Sequence, residues 1–424
     1  MDFLRTHKYT LGIGLVLLAL VLIEAHTIGD FEIFLQASQD LLKGENIYQI
    51  KYHEWYHYYY DAFFALLIYP LTYLPVYWAT VIWLGLNVLL TLRIWQSIKF
   101  QLPLETFSPK ALKVFTILTC AIAFSLWHRN IHLGQMTIFL LYLCLEGMHR
   151  IDQEEPLKGG FLLAMGISVK IMPLVLVPYL VYRHYFKGAL SALVFTGLIL
   201  IVPAAVIGLE QNTILLEERW ALVNPMNSEH VMDVDETTFH SITTFLSVLL
   251  VKDAGAAYRT DLPRNIANVS KHTLSLVINI VRLLLVLGTL YIIRSLPFQR
   301  PTDRLQKFYE MSYIYLIIPL IFPHQQHYGF FFALPAIAYL VYHYTNAYTV
   351  RAFENWRSHR FRIIFLAVLV FFLLNSHFLL GEFRNFYDHY KTLTYGMLFL
   401  VVLLATHRPQ VTGSITTSAI TDKG

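Results

Sequence analysis

Residues 159–182 read GGFLLAMGISVKIMPLVLVPYLVY, an apolar stretch that is interrupted by Lys170 and Pro173. Its two parts, 159–170 and 173–182, are each too short to cross a bilayer core of about 30 Å at about 1.5 Å per helical residue. We therefore predict two half-helices that meet inside the protein. Because an ammonium group buried at such a break costs about 2.5–3.5 kcal/mol, we expect Lys170 to face a polar cavity or an anion.

The composition of the whole chain is that of a membrane protein. Of its 424 residues, 56% are hydrophobic and 14% are charged, whereas soluble domains usually contain about 25% charged residues. The mean hydropathy of +0.51 excludes a disordered chain and a soluble multidomain protein. The net charge of +4 is too small to indicate binding of nucleic acid. Cys120 and Cys144 lie in apolar runs, so neither a disulfide framework nor a thiolate metal site is expected.

Ten further apolar runs bring the predicted number of membrane segments to about twelve. These runs are 10–28, 75–92, 114–127, 133–148, 189–208, 272–293, 309–322, 328–345, 363–380 and 391–406. Arg5 and Lys8 precede the first run and no small-residue cleavage site follows it, which favours a signal anchor with a cytoplasmic amino end. This orientation places 20 Lys and Arg residues in cytoplasmic loops and 10 outside, in agreement with the positive-inside rule.

We thus predict an all-α polytopic membrane protein with a single transmembrane domain, residues 1–408, and a disordered cytoplasmic tail, residues 409–424. Both termini are cytoplasmic in this topology. Four polar stretches then fall on the extracytoplasmic side: the long loops 29–74 and 209–271, and the short turns His128–His132 and Pro323–His327. Because these stretches share one side of the membrane, we expect them to converge on a single site.

The first outer loop opens with Gly29-Asp30, and the apolar positions that follow have helical spacing up to Lys43. This spacing predicts a helix lying in the membrane interface. Asp30 has an alternative structural role as the residue that caps this helix. An aromatic stretch comes next, with Tyr48, Tyr52, Trp55, Tyr56, Tyr58, Tyr59 and Tyr60. Such rings stack on sugars, but Tyr and Trp also gather at membrane interfaces without any ligand.

Polar side chains at the two short turns are further candidates for functional residues. Arg129 and Asn130 precede Gly134-Gln135, although glycine and amide residues also serve helix packing in membranes. His324 and His327 are compatible with metal binding, acid–base chemistry, phosphate binding or a plain interfacial position. Metal is the least favoured of these, because no third ligand lies nearby in the sequence.

Arg282 lies inside the predicted segment 272–293. It has either a functional role or a structural one, paired with an acid such as Glu24 or Glu146.

In their order and spacing, these motifs resemble the polyprenyl-phosphate-mannose-dependent mannosyltransferases of glycosyltransferase family 87, within the GT-C superfamily. The resemblance runs over most of the chain. It is carried by Gly29-Asp30 with Ala37, Leu41, Gly44 and Tyr48, by Asn130 with Gly134-Gln135, by Gly160, Lys170, Pro173 and Pro178, and by Pro319 with His324 to His327. The chain departs from the family at Tyr60-Asp61-Ala62-Phe63, where many members resemble Tyr-x-Pro-Pro, which leaves the acceptor open.

The resemblance implies a GT-C-type helical bundle in the inner or plasma membrane. Its active site would move a hexose, with mannose as the expected sugar, from a polyprenyl-phosphate sugar to a hydroxyl of a glycolipid or glycan on the extracytoplasmic face, with inversion. Asp30 would be the catalytic base. The phosphate would be bound by Lys170, Arg129, His324 and His327, and the substrates by Asn130, Gln135, Tyr48 and Tyr60. No cofactor is implied, and a divalent metal remains open.

Three alternatives stay open at this point. A transferase for a pentose such as arabinose would differ only in its pocket. A lipid or glycan transporter or flippase would also have half-helices and buried basic residues, although we find no internal repeat in the sequence. A membrane scaffold would not require Lys170 at a helix break.

Overall fold

The computed structural model describes residues 2–27, 29–53, 56–224, 238–252, 254, 260, 262–301, 303–350 and 356–409. Within these ranges the chain is helical, and the only β-structure consists of two isolated bridges. The helical class predicted from the sequence is therefore confirmed. The predicted disordered tail lies outside the described residues beyond Pro409.

Eighteen α-helices follow one another along the described chain. They are α1 (Asp2–Glu24), α2 (Asp30–Leu42), α3 (Ala62–Ile68), α4 (Val76–Gln101), α5 (Pro109–Leu133), α6 (Thr137–Asp152), α7 (Pro156–Val169), α8 (Leu176–Tyr182), α9 (Phe186–Ile201), α10 (Ala204–Ile207), α11 (Leu209–Val223), α12 (Ile242–Leu250), α13 (Lys271–Ile293), α14 (Arg304–Ile321), α15 (Leu334–Val350), α16 (Trp356–Leu379), α17 (Arg384–His389) and α18 (Thr392–Thr406). Short 3-10 turns lie at Tyr69–Tyr73, Leu104–Thr106, Met172–Val175, His327–Ala333 and Gly381–Phe383.

Five helices of the described chain are long and apolar enough to cross a membrane, as expected of a multi-pass protein. They are Val76–Gln101, Pro109–Leu133, Phe186–Ile207, Lys271–Ile293 and Arg360–Leu379. A sixth is counted if Gly381–His389 and Thr392–Thr406, bent by 66°, form one broken span. The number twelve stays a prediction, because other segments form shorter helices, such as α6 with 16 residues and α15 with 17.

The helix break predicted at Lys170 is confirmed. Helix α7 ends at Val169, Lys170 has an extended backbone with φ −147° and ψ 128°, and a 3-10 turn leads into α8. Glycines allow α7 to approach its neighbours closely, because a methyl group on Gly159 would overlap the backbone of Gly147 on α6. Small residues at such contacts are typical of helix packing in membranes.

A buried ion pair fixes the carboxyl end of α8. The Arg183 guanidinium contacts both carboxylate oxygens of Glu310 on α14, and the Tyr179 hydroxyl donates to the same carboxylate at 3.0 Å. Both charged side chains are buried, so removing one of them would leave an uncompensated charge in the core. This contact fixes the second half-helix relative to α14.

Arg282 on α13 donates a hydrogen bond to the Thr243 hydroxyl at 2.6 Å. The suggested acidic partners contact other residues: Glu24 binds His132, and Glu146 binds Arg150. The predicted pairing of Arg282 with either acid is therefore wrong. The reason is that α12, which lies within the long loop 209–271, packs beside α13 and supplies a hydroxyl.

Candidate active site

Two glycines bring the first residue of α2 onto the turn between α5 and α6. Gly134 caps α5 in the left-handed conformation with φ +62°, which glycine adopts at little cost. A Cβ atom on Gly134 would lie 2.8 Å from the Cβ of Phe31, and one on Gly29 would lie 2.7 Å from the carbonyl oxygen of Leu133. Any side chain at either position would therefore push α2 away from the turn.

Replacing Gly134 by Ala should destabilise the fold by about 1–3 kcal/mol, because the new methyl group combines a strained backbone with overlap on Phe31. Thermal unfolding of the detergent-solubilised protein measures this effect. Gly85→Ala is the matched control, since a Cβ at Gly85 would meet no atom within 4 Å. Equal unfolding temperatures for the two variants would show that the close contact is unimportant.

The carboxylate of Asp30 is oriented by a buried amide. Gln135 Nε2 donates to Asp30 Oδ2, and Gln135 Oε1 accepts a hydrogen bond of 3.3 Å from the Tyr60 hydroxyl. Asp30 is the first residue of α2, and Gly29 is the cap residue. The alternative that Asp30 itself caps the helix is therefore wrong.

Tyr48 and Tyr60 are both buried beneath this site. The Tyr48 hydroxyl donates to the Tyr60 carbonyl oxygen at 2.9 Å, which fixes the backbone that carries the Tyr60 ring. Both hydroxyls thus have partners within the protein, and they support Asp30 through Gln135. Direct contact of these two tyrosines with a substrate stays a prediction.

Lys170 interacts both with the turn at residues 323–327 and with Asp30. Its ammonium is 3.5 Å from Gln325 Oε1 and is close enough to Asp30 for electrostatic attraction. Gln325 is itself held in place, because its side-chain amide donates to the Pro323 carbonyl oxygen at 2.8 Å. Within the described chain, no carboxylate lies at ion-pair distance from Lys170.

Arg129 is a second cation near Asp30. It interacts electrostatically with Asp30 and with Asp388 on α17. In the ranges that the structure describes, no carboxylate forms an ion pair with Arg129. A partly buried guanidinium without a direct counter-ion is a good binding group for an oxyanion such as phosphate.

The two histidines of the turn have different surroundings. His327 is buried, with its Nε2 at 3.4 Å from the Ser125 hydroxyl of α5. Burial holds the pKa of His327 well below its usual value, and the neighbouring Arg129 guanidinium also lowers it, so the neutral form of this ring is favoured at physiological pH. His324 has a left-handed backbone with φ +55°, and its ring lies near those of Tyr59 and Phe239, with centroids at 6.3 and 5.1 Å.

The side chain of Asn130 is used by the fold. Its amide nitrogen donates to the carbonyl oxygens of Leu126 and Tyr328, at 2.8 and 2.9 Å. The second contact ties the end of α5 to the residue that follows His327. A direct role of Asn130 in substrate binding stays a prediction.

A cluster that the sequence analysis missed lies next to Arg129. Asp388 has imidazole nitrogens of His240 and His377 at 3.4 and 3.5 Å, distances that are long for hydrogen bonds, and all three side chains are largely buried. Burial lowers the pKa of His240 to about 4. The sequence analysis did not single out residues 381–390, and nothing in the sequence pairs Asp388 with His240.

A buried ion pair between Asp61 and Arg219 was also missed. Arg219 Nη1 is 2.6 Å from Asp61 Oδ2, and Arg219 Nη2 donates to the Ser168 carbonyl oxygen at 2.7 Å. Asp61, at the position where the chain departs from the family pattern, also caps α3 by accepting from the Phe63 amide at 2.8 Å. Arg219 thus ties the loop 209–271 to α7, two residues before Lys170.

Comparison with known families bears directly on this site. The model of glycosyltransferase family 87 matches residues 58–305, which is more than half of the chain. The chain belongs to glycosyltransferase family 87. It is therefore an enzyme that transfers sugars. No curated protein matches it at a significant level.

The match to family 87 covers only part of the candidate site. Arg129, Asn130, Gln135 and Lys170 lie inside the matched stretch, whereas Asp30 and the 323–327 turn lie outside it. Within the described residues, no group of three or more His, Cys, Asp or Glu side chains is arranged to hold a metal ion. The expectation that no cofactor is needed stays a prediction.

Proposed function

We propose that this glycosyltransferase moves a mannosyl group from a polyprenyl-phosphate sugar to a hydroxyl of a glycolipid or glycan at the extracytoplasmic face of the cell membrane. The observation that carries this proposal is that two cations, Lys170 and Arg129, both interact electrostatically with the Asp30 carboxylate, which Gln135 holds in place. Neither cation has a carboxylate partner at ion-pair distance within the described chain.

This arrangement suits an inverting transfer in one step. Asp30 accepts the proton of the acceptor hydroxyl while the hydroxyl oxygen bonds to the anomeric carbon. The bond from the anomeric carbon to the phosphate oxygen breaks on the opposite face, and its electron pair leaves with the polyprenyl phosphate. Lys170 and Arg129 stabilise the negative charge that develops there, because cationic donors are most effective where water is excluded.

Gln135 gives Asp30 the orientation that this step needs. Its Nε2 group donates to Asp30 Oδ2 and thereby fixes the orientation of the carboxylate. Tyr60 in turn fixes the amide through Gln135 Oε1. A base held by buried partners keeps its geometry during the reaction, and small displacements of catalytic groups lower rates strongly.

The membrane helices supply the surroundings that a lipid-linked donor needs. The apolar surfaces of the five long helices are compatible with a polyprenyl chain lying in the bilayer beside the protein. The break at Lys170 carries a charged group to the junction of two short apolar helices, Pro156–Val169 and Met172–Tyr182. A phosphate at the end of a lipid chain would meet Lys170 there.

Reconstitution with defined donors tests the proposal. Purified protein in liposomes should transfer radiolabel from polyprenyl-phosphate mannose to alkyl glycoside acceptors, and it should do so faster than from polyprenyl-phosphate arabinose. A preference for the arabinose donor would make the protein a pentosyltransferase. Labelled sugar that crosses the membrane equally with and without acceptor, and forms no glycosidic bond, would contradict the proposal in favour of a transporter.

A further inference from the structure

The Arg219 guanidinium of α11 contacts two parts of the candidate site at once. Its Nη1 is 2.6 Å from Asp61 Oδ2, and its Nη2 donates to the Ser168 carbonyl oxygen at 2.7 Å. The Arg219 side chain is 10% exposed and that of Asp61 is 1% exposed, so both charges are enclosed by the protein. Because a guanidinium is planar and its N–H groups form a rigid fork, the two contacts fix the distance between Asp61 and Ser168. The proposed transfer step uses none of these three residues.

The contact with Ser168 acts on the helix break that carries Lys170. Ser168 lies in the last turn of α7, which ends at Val169. The carbonyl groups in the last turn of a helix lack amide partners within the helix, and Arg219 supplies a donor for one of them. The Lys170 amide donates to the Gly166 carbonyl oxygen of the same turn at 3.0 Å. The direction in which the chain leaves α7 at Lys170 therefore depends on a turn that Arg219 holds.

The contact with Asp61 acts on the other side of the site. Asp61 follows Tyr60, whose hydroxyl donates to Gln135 Oε1. Gln135 in turn donates to the Asp30 carboxylate. A shift of Asp61 would therefore be transmitted to the proposed base through its chain neighbour and one buried amide.

Helix α3 provides a second connection between Asp61 and the proposed base. Asp61 caps this helix by accepting from the Phe63 amide at 2.8 Å. The Ser38 hydroxyl of α2 donates to the Ala65 carbonyl oxygen of α3 at 2.6 Å, and Asp30 is the first residue of α2. Helix α3 also packs against α7, so the helix of the base and the helix before the break are joined through α3.

We infer that Arg219 is a positioning residue, which sets the place of the Lys170 ammonium relative to the Asp30 carboxylate. The inference rests on the proposed function, in which Lys170 contacts the donor phosphate and Asp30 accepts the proton of the acceptor. Loss of the Arg219 fork would leave both groups present but displaced from each other, and small displacements of catalytic groups lower rates strongly. A purely structural ion pair would instead change stability without changing how the protein uses Lys170.

Arg219→Lys is the variant that tests this role. A lysine ammonium keeps the positive charge beside Asp61, but it lacks the fork that also contacts the Ser168 carbonyl oxygen. Removing the charge altogether would leave the Asp61 carboxylate buried without a counter-ion, which destabilises folding strongly. Arg183→Lys is the matched control, because Arg183 forms a buried ion pair with Glu310 at the carboxyl end of α8.

The first measurement is the affinity of the full-length protein in detergent micelles for geranylgeranyl phosphate, a short polyprenyl phosphate without a sugar, by native mass spectrometry. Arg219→Lys should weaken binding about tenfold, as expected when one charge-assisted contact is displaced. Lys170→Met should weaken binding at least as much, and adding Arg219→Lys to it should cause no further loss. Changes that act through one contact are non-additive, whereas those at independent sites add. Arg183→Lys should bind the probe like the wild type.

Each outcome decides one point. Additive losses from Arg219→Lys and Lys170→Met would overturn the inference, and so would wild-type affinity of folded Arg219→Lys. If Arg219→Lys does not fold, Asp61→Asn combined with Arg219→Gln removes both charges together, and its effect should likewise vanish in the Lys170→Met background. If the binding data show this coupling but the wild type transfers no sugar from polyprenyl-phosphate donors, the proposed function fails while the positioning role stands.

Steady-state kinetics in proteoliposomes then separate positioning from a general structural effect. Arg219→Lys should lower kcat/KM for polyprenyl-phosphate mannose about tenfold. The KM of a neutral alkyl glycoside acceptor should keep its wild-type value, because Asp61 keeps its counter-ion. In the Lys170→Met background, Arg219→Lys should leave kcat/KM for the donor unchanged. An equal fall in both backgrounds would show that Arg219 acts through the stability of the fold and would overturn its positioning role.

Discussion

Asp30→Asn should lower the rate of sugar transfer by about 10²–10⁴-fold, the range that a positioned general base contributes. The amide cannot accept the proton of the acceptor hydroxyl, yet it has nearly the same size as the carboxylate and keeps an oxygen for the contact with Gln135. The KM of the donor should change much less than kcat, because proton transfer belongs to the reaction step. The measurement is initial rates of labelled mannose transfer in proteoliposomes.

Asp40→Asn is the matched control for this prediction. Asp40 lies on the same helix and contacts Lys43 at 2.9 Å near the surface. Asp40→Asn should transfer sugar like the wild type, while Asp30→Asn should show the large loss of rate at an equal yield of folded protein. Turnover of Asp30→Asn within tenfold of the wild type would remove Asp30 from the role of base.

The sequence was sufficient to place the main elements of the candidate site. Lys170 could be assigned to a helix break because the apolar stretches on both sides are too short to span a bilayer. The structure also joins Asp30 to Gln135, two residues that belonged to separate motifs. The prediction for Lys170 depended on the length of the apolar stretches. The predictions for Asp30 and Gln135 depended on the glycine that precedes each of them in the sequence.

The missed contacts join residues that are far apart in the sequence. Arg219 and Asp61 are separated by 158 positions, and neither lies in a pattern that identifies its partner. His240 and Asp388 meet because the loop 209–271 reaches the turn after α14, where the His240 amide donates to the Gln325 carbonyl oxygen at 2.8 Å. Such pairs are set by how helices and loops pack, which hydrophobic periodicity does not encode.

The aromatic stretch 48–60 shows a different limit of sequence patterns. Composition indicated rings at the level of the lipid headgroups, and the structure instead buries Tyr48, Tyr58 and Tyr60. Their role in the described fold is to support the helix that carries Asp30, for example through the Phe34 ring at 4.7 Å from that of Tyr60. An interfacial composition therefore did not distinguish rings that contact ligands from rings that form a core.

Lys170→Met should lower kcat/KM for the polyprenyl-phosphate donor by about 10²–10³-fold, as expected when one group that stabilises developing charge is lost. Methionine keeps most of the length and apolar volume of the lysine side chain, so packing at the break should be retained. Lys170→Arg keeps the positive charge and should restore part of the activity. The measurement is the dependence of the initial rate on donor concentration.

Lys158→Met, on the helix α7 that precedes Lys170, separates this effect from a general loss of positive charge. Lys158 is exposed and pairs with Glu155 at 2.8 Å, a surface contact of the kind that contributes little to stability. We expect this variant to use the donor like the wild type. If Lys170→Met also leaves the dependence on donor concentration unchanged, the phosphate does not contact Lys170. The break between α7 and α8 would then serve the packing of the helices, and Arg129 would remain as the cation near Asp30 that could receive the leaving group.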